Sequence, residues 1–339
     1  MQRRTRARAR LLSQSLVGAA FPTAEEAVGA FGLMQGQETT VFSSVALRSG
    51  GAESVRAALA ENSIVRAYPM RGTVFLGLAR EMRWMTQLLA KPGVPQTLER
   101  LSRIGVTAAH TDAVREEVLA RGRVTNTELR EIVARITGVS EPAATYRTRY
   151  LLLVEGTCAY LGPEQSLGPA PPAPGLEKRF NGERQAAVDE LVRRYVATRG
   201  PVRFEDVTWW SKLPVREVRT ALEHLGEGFA EIDGDFMSAG LPDLLASTPP
   251  REFRVPLLLP AFDEYILGYK NRLFAMTDEV HAHLVPSNMG VFRKAVVVDG
   301  VVRGSWKGAG GVLEVEDTGG VPKYAEAGIR RAFRSFPRI

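Results

Sequence analysis

The chain has 339 residues, 45% hydrophobic and 24% charged, a composition typical of a globular protein long enough for two or three modules. The sequence contains no run of 18 apolar residues, so no membrane-spanning helix is predicted. The single cysteine, Cys158, excludes an intrachain disulfide. The net charge of +6 is concentrated towards the ends, since the first ten residues carry five arginines and no acid.

The first predicted module covers residues 1–92 and consists of helices followed by a β-hairpin. Thr23 and Glu26 in "TAEE" form a capping box that begins a helix, and Gly32 ends it. "IVRAYPM" and "TVFLG" are predicted strands joined by a turn at residues 71–72. The other predicted helices of this module are residues 5–17, 39–48 and 53–61.

The arginine-rich start resembles a secretory signal only faintly. Ser13, Gln14 and Ser15 interrupt its apolar stretch, and no cleavage site follows. The sequence therefore predicts a basic amphipathic first helix in a cytoplasmic, nucleoid-associated protein.

The same pattern of helices and hairpin recurs twice, at residues 93–162 and 181–247. Thr125 and Glu128 form a second capping box. Residues 163–180 between these copies are rich in proline and are predicted to be an extended, exposed linker. Helices followed by a hairpin are typical of a winged helix.

Residues 248–339 change to strand patterns. "FRVPLLLP" is predicted as a buried strand, "AVVVDGVVRGSW" as a hairpin turning at residues 299–300, and the chain ends in a basic helix. His281 and His283 fall in a polar, turn-like stretch and predict surface histidines rather than metal ligands. The predicted fold class is mainly helical α+β, with three tandem winged-helix modules and a C-terminal β-rich segment.

The helices that would enter a DNA groove in a winged helix are poor in net positive charge. Residues 53–61, 141–155 and 215–224 each balance arginine with glutamate. Either these modules are architectural, or wings, loops and the C-terminal segment hold DNA. The basic candidates outside these helices, each of which could also be a solvated surface charge, are Arg71, Lys270, Arg272, Arg293, Lys294 and Lys307.

Two glutamines, Gln35 and Gln37, lie on either side of Gly36 in "LMQGQ". An amide has no useful pKa, so neither side chain can act alone as a general acid or base. Such a pair is either an ordinary polar loop or a pair of positioned hydrogen-bonding groups. The sequence pattern alone favours the loop.

Six segments in order resemble the AlkZ/YcaQ-type bacterial DNA glycosylases over nearly the whole chain. They are "LMQGQ" (33–37), "YPMRGTVFLG" (68–77), "VTWWSKL" (207–213), "PAFDEYILGYKNR" (260–272), "SNMGVF" (287–292) and "VVVDGVVRGSW" (296–306). The resemblance implies three tandem winged helices and hydrolysis of the N-glycosidic bond of alkylated purines, including bulky adducts and interstrand crosslinks.

The family's catalytic glutamine motif falls on Gln35 and Gln37 and is similar to that of the AlkZ branch, whose members can protect producers of DNA-alkylating natural products. Two positions depart from the pattern: Gly36 replaces an apolar residue, and Phe75 stands where a histidine is expected. The sequence shows no cluster of metal ligands and no lysine in or beside this loop, so we expect a metal-independent enzyme without cofactor or lyase activity. The scattered basic residues predict that it binds double-stranded DNA as a monomer. The DNA-binding residues expected are Arg71, Gly72, Thr73, Lys270, Arg272, Arg293 and Lys307.

Weak polar groups could suffice for this chemistry. A purine alkylated at N7 is cationic and leaves without protonation, while the sugar becomes oxocarbenium-like. An amide oxygen can accept from the attacking water, and an amide N–H₂ can hold the sugar or phosphate.

Other side chains compete with the glutamine pair. Glu38 is a further candidate for the base that activates water. Asp263 and Glu264 are a second alternative, although a role in bonding backbone and fixing the cleft is favoured. Trp209 and Trp210 are predicted to be core residues.

The alternative function is a non-catalytic winged-helix DNA-binding protein, either a regulator or a protein that sequesters damage. A regulator of this kind usually reads a palindrome as a dimer, whereas three modules in one chain can wrap a duplex as a monomer. The oligomeric state therefore separates the two hypotheses.

Overall fold

Contacts divide the chain into two units in the computed structural model, which describes residues 1–89, 93–286 and 290–339. Unit 1 joins Met1–Val55 to Val188–Ile339, and unit 2 is Arg56–Ala187. The described residues are mainly helical with small antiparallel sheets, which confirms the predicted α+β class. The boundaries of the three winged-helix modules stay a prediction.

The elements alternate helices with short strands. In the first half of the chain they are α1 (Arg3–Ser13), α2 (Ala24–Phe31), β1 (Leu33–Gln35), α3 (Val41–Ala46), α4 (Gly51–Ala60), β2 (Ile64–Met70), β3 (Thr73–Leu78), α5 (Ala79–Leu89), α6 (Val94–Ser102), α7 (Ala108–Arg121), α8 (Asn126–Thr137), α9 (Pro142–Val154), β4 (Cys158–Leu161) and β5 (Ser166–Pro169).

The second half continues the alternation. Its elements are α10 (Leu176–Phe180), α11 (Arg184–Arg199), α12 (Phe204–Ser211), α13 (Val215–Glu223), β6 (Phe229–Ile232), β7 (Asp235–Ser238), α14 (Leu241–Ser247), α15 (Pro250–Phe253), β8 (Leu257–Leu259), α16 (Glu264–Leu267), α17 (Asp278–Leu284), β9 (Ala295–Val298), β10 (Val301–Ala309), β11 (Val312–Asp317) and α18 (Glu326–Arg334). No helix of the described ranges is both long and apolar enough to cross a membrane.

The predicted helix caps are confirmed. The Thr23 hydroxyl accepts a hydrogen bond from the Glu26 backbone N–H at 3.1 Å. Thr125 and Glu128 form the full reciprocal capping box. These contacts satisfy backbone N–H groups that the first helical turn leaves without partners, so they fix where α2 and α8 begin.

Unit 2 is built around a sheet in which β3, β2, β4 and β5 follow one another. The predicted turn between β2 and β3 is confirmed, since Met70 pairs with Thr73 across it. Arg71 (φ 57°) and Gly72 (φ 67°) both adopt the left-handed conformation that a two-residue hairpin turn requires. Helices α7, α8 and α9 contribute most of the core packed with this sheet.

The prediction of an exposed linker is wrong at residues 166–169. These residues form β5, which pairs antiparallel with β4, and Ser166, Leu167 and Gly168 are buried. The proline-based prediction missed the strand because three of the five prolines follow it, in residues 171–174.

We expect Gly168→Ala to destabilise unit 2. A Cβ at this position would lie 2.3 Å from the Gly122 carbonyl oxygen and 2.8 Å from Leu161 Cδ1. Overpacking of this kind typically costs about 1–3 kcal/mol. Chemical denaturation would measure it against Gly226→Ala, whose Cβ would meet no atom within 4 Å. Equal stability of the two variants would contradict the close approach of Gly168 to Gly122 and Leu161.

Unit 1 contains a second antiparallel sheet in the order β11, β10, β9 and β8. The predicted hairpin turn is confirmed at Asp299 (φ 55°) and Gly300 (φ 74°). Trp306 packs between this sheet and α18, and its indole N–H donates to the Leu259 carbonyl at 2.9 Å. The predicted strand in "FRVPLLLP" shortens to β8, because Phe253 ends helix α15.

The five arginines of α1 are all engaged within unit 1. Arg3 donates to the Phe274 carbonyl, Arg4 and Arg8 pair with Asp299, and Arg6 pairs with Asp235. Arg10 donates to the Pro201 carbonyl and to Asp206. The concentrated charge at this end therefore joins α1 to distant parts of the same unit.

Candidate active site

The glutamine pair lies at the end of β1 in unit 1. Gln35 is the last residue of the strand and is only 3% exposed, while Gln37 is half-buried in the loop that follows. The side-chain oxygens of both amides are buried and have no hydrogen-bond partner among the residues the structure describes. Buried polar atoms are nearly always paired, so these two acceptors, two residues apart, are available to a donor from a bound molecule or water.

Asp263 and Glu264 are buried beside this segment and are fully occupied. Asp263 accepts two hydrogen bonds from the Arg48 guanidinium, at 2.8 and 2.9 Å, and a further one from the Ser44 hydroxyl. Glu264 accepts from the Gln35 backbone N–H. These contacts support the interpretation that the two carboxylates fix the backbone rather than activate water.

Glu38 is placed differently from its neighbours. Its side chain is exposed, and its carboxylate accepts a long hydrogen bond of 3.4 Å from the Thr40 hydroxyl. A solvated carboxylate lacks the burial that usually tunes a catalytic base, but it stays a candidate because it adjoins Gln37.

The "RGT" segment forms the β2–β3 turn of unit 2. Gly72 is exposed, while Arg71 and Thr73 are half-buried. The Thr73 hydroxyl is buried and unpaired within the described part of the chain. Phe75, at the position where a histidine is expected, is fully buried with the Arg71 guanidinium 5.2 Å from its ring centre. A phenyl ring there supplies packing and no proton transfer.

Lys270 and Arg272 lie together in unit 1, in an open cleft of about 1070 Å³. The cleft is also lined by Arg3, Arg203 and Trp209. Lys270 is exposed, and no described residue forms an ion pair or hydrogen bond with its ammonium group. Cations with an aromatic side chain in one groove are typical of a surface that binds a nucleic-acid backbone.

Arg272 is half-buried between two aromatic rings, 5.9 Å from the Trp209 centroid and 5.1 Å from that of Phe292. Burial lowers its pKa from the usual arginine value. Its Nη1 lies 3.5 Å from His281 Nε2, and burial together with this guanidinium lowers the pKa of His281. Both effects favour the neutral imidazole, so the local positive charge lies mainly on Arg272.

His281 and His283 lie on helix α17, so the prediction of a turn was wrong. The Thr277 hydroxyl accepts from the Val280 N–H and begins the helix with an unrecognised cap. Arg293 Nη1 lies 3.0 Å from His283 Nδ1, and His283 Nε2 lies 2.8 Å from the Ser305 hydroxyl. Arg293 is thus tied to its neighbours rather than free.

Lys307 and Lys294 lie near the β10 strand. Lys307 is exposed on β10 opposite Glu314, and the Lys294 ammonium lies 4.8 Å from the Trp306 ring centre. The first part of "SNMGVF", residues 287–289, lies outside the described residues.

The two tryptophans of α12 differ in burial. Trp210 is fully buried against Tyr195, as predicted for a core residue. Trp209 is half-buried and lines the basic cleft instead. Consecutive residues of a helix point to different sides, so one ring reaches the core and the other does not. Over the described ranges, no group of three or more His, Cys, Asp or Glu residues is arranged to hold a metal ion.

The chain is similar to proteins of one known family over most of its length. The family model "DNA glycosylase AlkZ-like" matches residues 28–339, so the chain belongs to the AlkZ-like DNA glycosylase family and DNA is its substrate. Among solved structures it is similar to the Streptomyces sahachiroi DNA glycosylase AlkZ. That similarity has a TM-score of 0.71 at 23% identity, over 99% of this chain and 97% of the other, and it confirms the fold. No curated protein matches the chain.

We expect Lys270→Ala and Arg272→Ala each to weaken binding to undamaged duplex DNA without changing sequence preference. Removing one cation that neutralises a phosphate should reduce the slope of log affinity against log salt by about 0.9. Fluorescence anisotropy at several salt concentrations would measure this slope. The control is Arg103→Ala, which removes an exposed arginine paired with Glu99. Slopes that match this control would contradict a phosphate role for the cleft.

Proposed function

We propose that the protein is a monofunctional DNA glycosylase that hydrolyses the N-glycosidic bond of purines alkylated at N7, with Gln35 and Gln37 as its catalytic residues. The observation that carries this proposal is the pair of buried, unpaired amide oxygens at the end of β1. Leaving a buried acceptor without a partner costs about 1–3 kcal/mol, so a hydrogen bond from a bound water or substrate to either oxygen would be favourable.

Excision of a cationic purine needs no strong acid from the protein. The cationic purine departs with the bonding electrons and becomes neutral. The sugar carbon then bonds to water, which loses a proton to the solvent. In the proposed arrangement the Gln37 oxygen accepts from that water, and the Gln35 amide holds the sugar or phosphate. Neutral guanine is a poor leaving group, so a site without a strong acid favours damaged bases.

The substrate range proposed here includes bulky N7 adducts and interstrand crosslinks, with a role in repair or in self-resistance to a genotoxic natural product. The enzyme is proposed to act as a monomer. The basic cleft of Lys270 and Arg272 supports a binding mode dominated by phosphate contacts rather than base reading.

The test is incubation of the protein with duplex DNA carrying one N7-methylguanine, followed by heating to cleave abasic sites. We expect strand cleavage at the lesion and none at unmodified guanine. A crosslinked duplex in parallel shows whether bulky lesions are accepted. Tight binding to one palindrome without base release would instead support the regulator.

We expect activity to survive both EDTA and borohydride. The segment from residue 31 to 40 contains no lysine that could form a Schiff base with the sugar. The assay would compare base release with and without chelator, and denaturing electrophoresis would detect trapped adducts. Loss of activity in EDTA, or a covalent protein–DNA band after borohydride, would contradict a metal-independent hydrolase.

A further inference from the structure

A buried ion pair holds both ends of β1, the strand that presents Gln35. The Gln35 backbone N–H donates to Glu264 Oε1 at 2.6 Å. The Arg199 guanidinium donates through Nη2 to the Leu33 carbonyl at 2.7 Å. One arginine and one glutamate therefore bond to the first and last residues of this three-residue strand.

The two side chains are joined to each other and sealed from solvent. Arg199 Nε and Nη2 lie 3.0 and 2.9 Å from Glu264 Oε2, and the side chains are 0% and 1% exposed. The Arg199 guanidinium lies about 5 Å from three aromatic rings, those of Phe31, Tyr195 and Trp210. Such enclosure removes the freedom of the guanidinium to change its bonding partners.

Stability alone does not explain a pair of this kind. Desolvating two charges can offset their attraction, and well-packed apolar side chains are often equally stable. What the ion pair adds is direction, because a planar guanidinium and a carboxylate each fix several hydrogen bonds at once. Here those bonds are made to the Gln35 backbone N–H and the Leu33 carbonyl, in the strand that carries the unpaired Gln35 side-chain oxygen.

We propose that Arg199 and Glu264 are positioning residues for base excision. The inference rests on the proposed function of the glutamine pair. It adds Arg199, to which no role has been assigned, and gives the backbone contact of Glu264 a kinetic consequence. Glu264 reaches the reaction only through the Gln35 backbone, since its oxygens are occupied by Gln35 and Arg199. A shift of about 1 Å in a reacting group can slow a reaction about 100-fold. The Arg199–Glu264 pair, called the clamp below, therefore affects the rate by holding the backbone of β1 in place.

Two substitutions test the clamp while preserving size. Glu264→Gln removes the charged acceptor of the Gln35 N–H, and Arg199→Lys keeps the charge but loses the fork that reaches Leu33. For each we expect single-turnover excision of N7-methylguanine to fall about 10- to 100-fold, with unchanged affinity for undamaged duplex. We also expect faster hydrogen exchange of the Gln35 amide, read by mass spectrometry of residues 33–37.

The matched control is Asp299→Asn. Asp299 is 3% exposed and pairs with Arg4 and Arg8, but it has no contact with β1 among the described residues. Asparagine also tolerates its left-handed backbone. This variant loses the charge of a buried carboxylate whose arginine partners are more exposed than Arg199. We expect its excision rate per folded molecule and its Gln35 exchange to match the wild type.

If either single variant unfolds, the double variant Arg199→Met with Glu264→Leu retains apolar packing without the charges. We expect it to fold and still to excise slowly. Normal excision and normal Gln35 exchange in folded clamp variants would overturn the proposal. An inactive wild type would refute the proposed function instead, while the exchange measurement would still decide whether the pair holds β1.

Discussion

Replacing Gln37 with alanine is expected to slow single-turnover base excision by roughly one to three orders of magnitude, the scale of losing one positioned polar group. The amide oxygen of Gln37 is buried and unpaired among the described residues, so its loss removes the proposed acceptor for water without breaking a structural contact. DNA affinity should barely change, because phosphate contacts elsewhere carry it. Rapid-quench kinetics with excess enzyme would measure the excision step directly.

Related variants separate the roles within this segment. Gln35→Ala should also slow excision, and the double variant should be worse than either single one by less than the product, since both groups act on one transition state. Gln37→Glu should retain or raise activity, because a carboxylate holds water and stabilises oxocarbenium charge. Glu38→Gln is the matched control and should be nearly silent. Loss of excision in Glu38→Gln with normal Gln37→Ala would make Glu38 the base.

The second large effect is expected for stability. Asp263→Ala leaves the Arg48 guanidinium, which is 0% exposed, without its carboxylate partner. Breaking a buried pair in this way typically costs about 3–5 kcal/mol. Asp263 also accepts from Ser44 on α3, the helix that follows the glutamine segment. Urea denaturation should therefore show a large decrease in the free energy of unfolding.

The control for this prediction is Glu99→Ala, which breaks an exposed pair with Arg103 and should leave stability unchanged within error. Combining Asp263→Leu with Arg48→Met should recover much of the stability, because the unpaired charge is removed. An Asp263→Ala protein as stable as the control would mean that the buried pair does not hold unit 1 together.

Local signals predicted local structure well. The cap at Thr23 and the turns at residues 71–72 and 299–300 depend on residues within three or four positions of one another, so the sequence displays the whole interaction. The exposed linker was wrong at β5 because burial there depends on pairing with β4. Helix α17 was missed because its capping residue, Thr277, was not recognised.

Sequence patterns could not predict contacts between residues that are far apart along the chain. The glutamine motif could be found from its resemblance to a family, but Arg199 lies 164 positions after Gln35 and has no local signature. For the α1 arginines the sequence predicted only a basic amphipathic helix, because their acidic partners lie 196 or more positions away. Only folding brings these charges together.

The most direct test of the account measures free base and abasic DNA from one N7-methylguanine duplex, using wild-type protein and the Gln35→Ala/Gln37→Ala double variant. Both proteins should bind undamaged duplex equally, which keeps binding separate from chemistry. We predict that the wild type releases the methylated base and leaves an uncleaved abasic strand, while the double variant releases no base above the spontaneous rate. A wild type that binds without releasing base, or a double variant that releases it as fast as the wild type, would contradict the proposed role of the amide pair.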